Sequence, residues 1–405
     1  MPSFTGLLIV TVVAFGAPFI LGLLPGVRLP SVVFEIAAGI VVGPSVLGWV
    51  HVDQTISVVS TLGLAFLLFL AGLEIDFARL RGSVLRLTAA GYAVSFALAL
   101  LVAGGLRAVG LGHAPLLVAI TLAATSLGVL IPVLKDAGQS GTTLGQLVIA
   151  AGSIADFGAI ILLSIFFTGQ GGTGATLLLI GSLLALAGVV FVAVRGAERS
   201  TRIRADLLRL QDTTAQIRVR GAVVLLVGFA AIAESLGLEA ILGAFAAGAV
   251  LTLLDRDQVM THPQFRRKLE AIGFGLFIPA FFVTTGVKYD LGALFASAST
   301  VVMVPVFLAA LLIVRGLPAV LYRRLLDGRE AAIAGLLQST SLPFIVAATA
   351  IGRDLGVIDA ATSAALVAAG LLSVVIFPAT GLALLRSGPA GRTAPAVEDA
   401  PRVAM

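Results

Sequence analysis

The chain has 405 residues, 59% of them hydrophobic and only 12% charged, with a mean hydropathy of +1.11 and a formal net charge of +5. Soluble domains carry about 25% charged residues, so the composition excludes a soluble globular enzyme and a disordered scaffold alike. Cysteine is absent, which removes a disulfide frame, a thiolate metal site and a cysteine nucleophile. His51, His113 and His262 fall in separate loops, so neither a histidine metal site nor a cofactor is expected.

A spanning helix takes about 20 apolar residues. Apolar runs at 4–24, 31–49, 55–74, 87–106, 114–134, 144–168, 174–194, 219–236, 239–254, 270–287, 291–321, 330–351 and 359–385 predict an all-α polytopic membrane protein of about 13 transmembrane helices. No Lys or Arg precedes Arg28, so the first run reads as a span and not as a cleaved signal peptide. The run at 291–321 is long enough that its first turns are expected at the interface. The segment 195–220 carries seven Arg against Glu198, Asp206 and Asp212, which fits a basic cytoplasmic linker lying on anionic headgroups. Residues 1–385 thus form one membrane domain. Residues 386–405, rich in Pro and Ala, form a short disordered cytoplasmic tail, and no soluble nucleotide-binding domain is expected after it.

The basic residues assign an orientation. Twenty-two of the 26 Lys and Arg fall in odd-numbered loops and the tail, three (Arg107, Lys288, Arg353) in even-numbered loops, and one, Arg315, inside the eleventh run. The positive-inside rule then puts the N-terminus outside and the C-terminus in the cytoplasm. The net charge belongs to these loops and not to a nucleic-acid surface. Trp49, at the outer end of the second run, suits an interfacial anchor.

Ionisable groups deep in a span mark a pathway or a paired site. Glu35, Glu74, Glu234 and Glu239 sit near span ends, where an interfacial charge or a helix cap explains them. Asp156 does not: it is central in AGSIADFGAIILL, and its side chain is too short to snorkel. Such a carboxyl can exchange a proton or, ionised, bind a small cation. Arg315 lies about two turns from the cytoplasmic end of its run, within snorkelling reach of it. TLAATSLGVLIPVLKD in the fifth run, with Thr125, Ser126 and Gly128, and GLLQSTSLPFIVAAT in the twelfth, with Gln338, Ser339, Thr340, Ser341 and Pro343, read as broken helices. Unwound backbone at membrane depth survives only against protein or a water-filled cavity. The two runs lie seven spans apart, which reverses direction and makes them counterparts in two inverted repeats, spans 1–6 and 8–13. Paired interruptions of this kind point to a midplane transport site. The glycine run from Gly169 to Gly174 lacks a phosphate-loop lysine and reads as a connector. Gly39 and Gly43 have GxxxG spacing, which permits close helix packing.

Five segments carry a resemblance: AAGIVVGPSVLG (37–48), LLFLAGLEID (67–76), DTTAQIRVR (212–220), LEAILGAFAAGAVL (238–251) and FIPAFFVTTGVKYDL (277–291). With them the sequence resembles the monovalent cation–proton antiporter superfamily, on its Kef-like branch, over nearly its whole length. The resemblance implies a homodimer in a bacterial inner membrane, with a mobile core holding two crossed discontinuous helices. It implies that Asp156 alternately binds a cation and a proton, and that Arg315 stands where the family often has Lys. Thr125 and Ser126 match the first break, and Gln338 to Ser341 the second. Two departures stand out. Ala155 replaces the polar residue that commonly precedes the key acid, and Arg315 stays protonated at any relevant pH.

The expected activity is therefore secondary antiport of H+ against Na+ or K+ by alternating access, with Asp156, Thr125, Ser126, Ser339 and Thr340 around the ion and Arg315 as charge partner. One titratable carboxylate beside a fixed positive charge predicts electroneutral exchange. The alternative is a same-fold exporter of an organic cation or ionophore, using apolar space left by Ala155. No nucleophile or metal cluster supports an enzyme.

Overall fold

The computed structural model describes residues 4–23, 30–74, 82–111, 114–167, 173–199, 213, 215–254 and 263–386. The tail beyond Arg386, most of the 195–220 linker (200–212 and 214) and Gly169 to Gly172 lie outside them. The described residues are helical, without strands. The first half holds α1 (Phe4–Leu23), α2 (Ser31–Val42), α3 (Gln54–Leu73), α4 (Gly82–Ala108), α5 (Pro115–Ala123), α6 (Leu127–Asp136) and α7 (Thr143–Phe167). The helix α8 (Thr173–Arg199) links it to α9 (Ile217–Ser235), α10 (Ala240–Leu254), α11 (Pro263–Ile272), α12 (Ile278–Lys288), α13 (Leu291–Phe295), α14 (Ala298–Leu311), α15 (Gly328–Gln338), α16 (Pro343–Asp354) and α17 (Ala360–Arg386). Eight helical stretches among the described residues are long and apolar enough to cross a membrane.

Two runs differ from the sequence reading in detail. The second ends as helix at Val42 and continues as a turn through Leu47 and as irregular chain to Trp49. The eleventh is divided: α13 stops at Phe295, and Ser297 starts α14 by accepting the Thr300 amide at 3.2 Å. This is the capping chemistry that Ser supplies to a helix start.

Proline shapes the interior of two long helices. A wide π turn at Gly273–Phe277 joins α11 to α12, just before Pro279. A second, Leu312–Gly316, follows α14 and precedes Pro318, after which the chain tightens into a 3₁₀ segment, Leu317–Arg324. Proline has no N–H and its ring collides with the carbonyl four residues back. Widening the preceding turn relieves both problems. The second π turn carries Arg315.

The helices sort into two packed groups. A panel unites α1, α2, α3, α9, α10 and α12, and a bundle unites α4, α5, α7, α14, α15, α16 and α17, while α8 touches both α10 and α7. The panel is sealed by glycine. A Cβ on Gly39 would lie 2.2 Å from the Val283 carbonyl oxygen, and one on Gly286 2.1 Å from that of Ile36. Backbone therefore meets backbone between α2 and α12, as the GxxxG spacing anticipates. Gly72 and Gly248 do the same between α3 and α10.

In the bundle, the order of long helix, broken pair, long helix appears twice: α4, α5–α6, α7 and α14, α15–α16, α17. These are the corresponding parts of two inverted repeats. Asp327 opens the second broken pair with a capping box, accepting the Glu330 amide at 2.7 Å, a reciprocal arrangement that satisfies two orphan donors.

Replacing Gly39 by Ala should separate α2 from α12 and cost about 3 kcal/mol, in the range of core overpacking. Gly104→Ala, where nothing lies within 4 Å of the added carbon, should be neutral. Thermal unfolding of both variants in the same detergent provides the check.

Candidate functional site

The site is built where the two helix breaks meet. The first break leaves helix after Ala123 and re-enters it at Leu127, with Ala124 and Ser126 extended. The second ends α15 at Gln338 and restarts at Pro343, which cannot donate to a preceding carbonyl and disfavours helix at Leu342. Each break supplies what the other lacks. The Ser126 amide donates to the Thr340 carbonyl at 2.9 Å, and the Thr125 hydroxyl donates to the Gln338 carbonyl at 2.8 Å. Ser373 of α17 steadies the second break: its oxygen accepts the Ser341 amide at 3.1 Å.

Asp156 faces this crossing from α7. It is 8% exposed, and the backbone amides of Leu127 and Thr125 point at its carboxyl. Leu127 is the first residue of α6, so the positive end of that helix dipole is directed at the acid, the arrangement by which helix starts hold anions. One turn before Asp156, a Cβ on Gly152 would lie 2.6 Å from the Leu127 side chain. Glycine there lets α7 approach the break closely. The Oδ1 atom of Asp156 has no hydrogen-bond partner among the described residues.

Arg315 is 2% exposed, so it does not snorkel out of the bundle. Its Nε donates to the Thr125 hydroxyl at 2.8 Å and its Nη1 to Ser95 at 3.1 Å. It lies within electrostatic range of Asp156, but no ion pair within 4 Å joins them among the described residues. Thr125 is thus the link: it accepts from Arg315 and donates to the second break. Tyr92, one turn from Ser95 on α4, packs its ring where a Cβ of Gly158 would sit and lies within electrostatic range of Asp156 and Arg315.

Several polar atoms around the crossing are buried without hydrogen-bond partners. They include Ser126 Oγ, Thr340 Oγ1, Ser341 Oγ, Gln338 Nε2, Arg315 Nη2 and Tyr92 OH. Orphaned buried polar atoms are uncommon and point to a ligand, ion or water. Four of them belong to the two breaks, and Arg315 and Tyr92 lie within electrostatic range of Asp156. Ser339 instead donates to the Gly335 carbonyl at 2.7 Å, leaving its oxygen lone pairs available.

Two cavities flank the contact between panel and bundle. The larger, about 1120 Å³, reaches Gly128 and Pro343, beside both breaks, and has Ala137 and Arg386 on its walls. The smaller, about 320 Å³, lies toward the opposite helix ends among Lys288, Asp290, Arg353 and Asp354. Ala155 is fully buried and lines neither.

The structure therefore brings Asp156, Arg315, Thr125, Ser126, Ser339 and Thr340 into one neighbourhood. Of the other acids singled out in the sequence, Glu35 lines the larger cavity, Glu74 caps α3 with Oε2 buried, Glu234 is exposed and Glu239 is half-buried. The sequence reading did not single out Ser95, Tyr92 or Ser373. Ser95 and Tyr92 are polar residues three apart in an otherwise apolar run, which places them on one helix face.

The family described as "Sodium/hydrogen exchanger, transmembrane" matches residues 10–386. A putative Na(+)/H(+) antiporter of Bacillus subtilis, YjbQ, is 32% identical over 391 residues, covering 93% of this chain and 62% of the relative. The Na(+)/H(+)-K(+) antiporter GerN of Bacillus cereus is 29% identical over 264 residues, 64% of this chain and 65% of that protein. The chain thus spans less than two thirds of these two relatives. It spans 90% of a probable Na(+)/H(+) antiporter of Methanocaldococcus jannaschii, at 27% identity over 88% of its own length. The fold resembles that of the sodium proton antiporter MjNhaP1 from Methanocaldococcus jannaschii at pH 8, with a TM-score of 0.69 at 17% identity, over 93% of this chain and 96% of the other.

Thr125→Val should leave the Arg315 Nε and the Gln338 carbonyl buried and unpaired, a loss of about 3 kcal/mol. Thr125→Ser, which keeps the hydroxyl, should cost less than half of that. Unfolding midpoints of the purified variants in detergent test the difference.

Proposed function

The chain belongs to the sodium/hydrogen exchanger transmembrane family, and on that premise we propose that it exchanges protons for Na+ or K+ across the membrane by alternating access. The observation that carries this reading is the buried Asp156 carboxylate with an unpartnered oxygen, facing two crossed helix breaks at which the Ser126, Thr340 and Ser341 hydroxyls are also unpartnered. A proton satisfies that oxygen in one state; a dehydrated cation, held by the carboxylate and by Ser126, Thr340 and the Ser339 oxygen, satisfies it in the other. The Thr125 hydroxyl is committed to Arg315 and Gln338, so it shapes the site and has only a lone pair to offer an ion.

Arg315 stays charged throughout. Its positive charge offsets the ionised carboxylate in the empty site, and proton and cation compete for the same oxygen. Each cycle then trades one positive charge for another, so transport is electroneutral. In the alternating cycle the bundle moves against the panel, opening one cavity at the expense of the other. The charge bias of the loops directs the larger cavity to the cytoplasm, the N-terminus outside and the C-terminus inside. Residues 1–385 constitute the transport domain, working as a homodimer in a bacterial inner membrane. Ala155 is buried and lines neither cavity, so it opens no apolar space for an organic substrate, which favours the inorganic cation.

The test is proton flux in proteoliposomes, read with a pH-sensitive dye on addition of Na+, K+ or Li+. Wild-type protein should respond to at least one cation, Asp156→Asn to none, and clamping the membrane potential should leave the rate unchanged. Absence of flux with every cation between pH 6 and 9, from folded protein, would sink the exchange reading.

A further inference from the structure

Glu35 is a buried charged residue that the proposed exchange leaves without a task. It lies one turn into α2 and is 4% exposed, yet it lines the 1120 Å³ cavity. Its hydrogen-bond partner is Ser31. Arg386, on the opposite wall of the same cavity, makes no ion pair with it within 4 Å. Most of the remaining lining is apolar, from Val32 and Leu67 on the panel to Val129 and Leu382 on the bundle.

A buried carboxylate in such surroundings must be neutralised by a proton or by a counter-ion from solution. Low-dielectric walls also focus its field into the water-filled space. The cavity leads from the end bearing Arg386 to Gly128 and Pro343, which flank the breaks. Because Glu35 is carried by the panel and Asp156 by the bundle, movement between the two groups changes the distance from one acid to the other.

Resting on the exchange reading above, we infer that Glu35 is a staging site for monovalent cations in the larger cavity, concentrating them beside the helix breaks before they reach Asp156. Asp156 binds the transported ion during turnover; Glu35 sets how readily the ion arrives from the Arg386 side. Removing its charge raises the cation concentration needed from that side and leaves maximal flux intact.

Two readouts test this, one independent of transport. The protein lacks cysteine, so Val133→Cys, on the cavity wall, introduces a single thiol. Its rates with a cationic and an anionic methanethiosulfonate are compared in solubilised protein with Glu35 and with Glu35→Gln. Their ratio cancels any change in thiol ionisation. The ratio should fall about fivefold on losing the carboxylate, and Glu35→Asp should keep most of it. In everted vesicles the half-saturating cation concentration of Glu35→Gln should rise three- to tenfold, with no change in right-side-out vesicles.

An unchanged ratio in folded Glu35→Gln overturns the inference, as does an unchanged half-saturation in everted vesicles or an equal rise in both orientations. If wild-type protein shows no cation-driven flux while the ratio still falls, the exchange reading fails and the attraction of cations to Glu35 stands.

Discussion

A polypeptide in hydrocarbon has no water with which to satisfy its amides and carbonyls, and this protein interrupts two of its helices at membrane depth. The hydrogen bonds from Ser126 N to the Thr340 carbonyl and from Thr125 Oγ1 to the Gln338 carbonyl make that tolerable. Everything else at the centre depends on them. They fix the start of α6, which aims the Leu127 amide at Asp156, and they place Thr125 where it can receive the Arg315 guanidinium. Gly152 and Gly158 then matter because they let α7 and Tyr92 close around the crossing.

The electrostatic design is indirect. A direct, fully hydrogen-bonded ion pair between Asp156 and Arg315 would leave no unpartnered oxygen on the acid. Arg315 is instead tied to two hydroxyls, Thr125 and Ser95. The positive charge lowers the cost of ionising a buried carboxylate, while the open oxygen of Asp156 remains available. The π turn before Pro318 holds Arg315 in the bundle interior. A backbone irregularity caused by proline thus positions a charge.

Much of this was legible in the sequence. Asp156 is conspicuous because a short acid in the middle of an apolar run cannot reach the interface, which leaves a structural ion pair or a functional site. The breaks were marked by Ser, Thr and Pro inside long apolar stretches, and the seven-span separation paired them. Gly39 and Gly43 announced a close contact, although not that α12 would be the partner, since spacing on one helix says nothing about the other. The π turns were not readable, because a widened turn leaves the apolar pattern intact. Nor was the hydroxyl link between Arg315 and the breaks: Ser95 and Thr125 are 220 and 190 residues from Arg315, and only the tertiary fold joins them. The split of the eleventh run was half visible, as an excess of length whose cause, a Ser297 cap, needed the structure.

The mutual satisfaction of the two breaks also has a consequence for biogenesis. The partner of Thr125 is 213 residues farther along the chain. At synthesis rates of roughly 5–20 residues per second, the first break emerges from the ribosome some 10–40 seconds ahead of the second. Throughout that interval the nascent first half holds unsatisfied backbone in or beside the translocon, where water, a chaperone or a temporarily continuous helix must stand in for the missing strand of polar contacts. The native hydrogen bonds of the break between α5 and α6 are therefore made late in the life of the chain, only when α15 and α16 arrive.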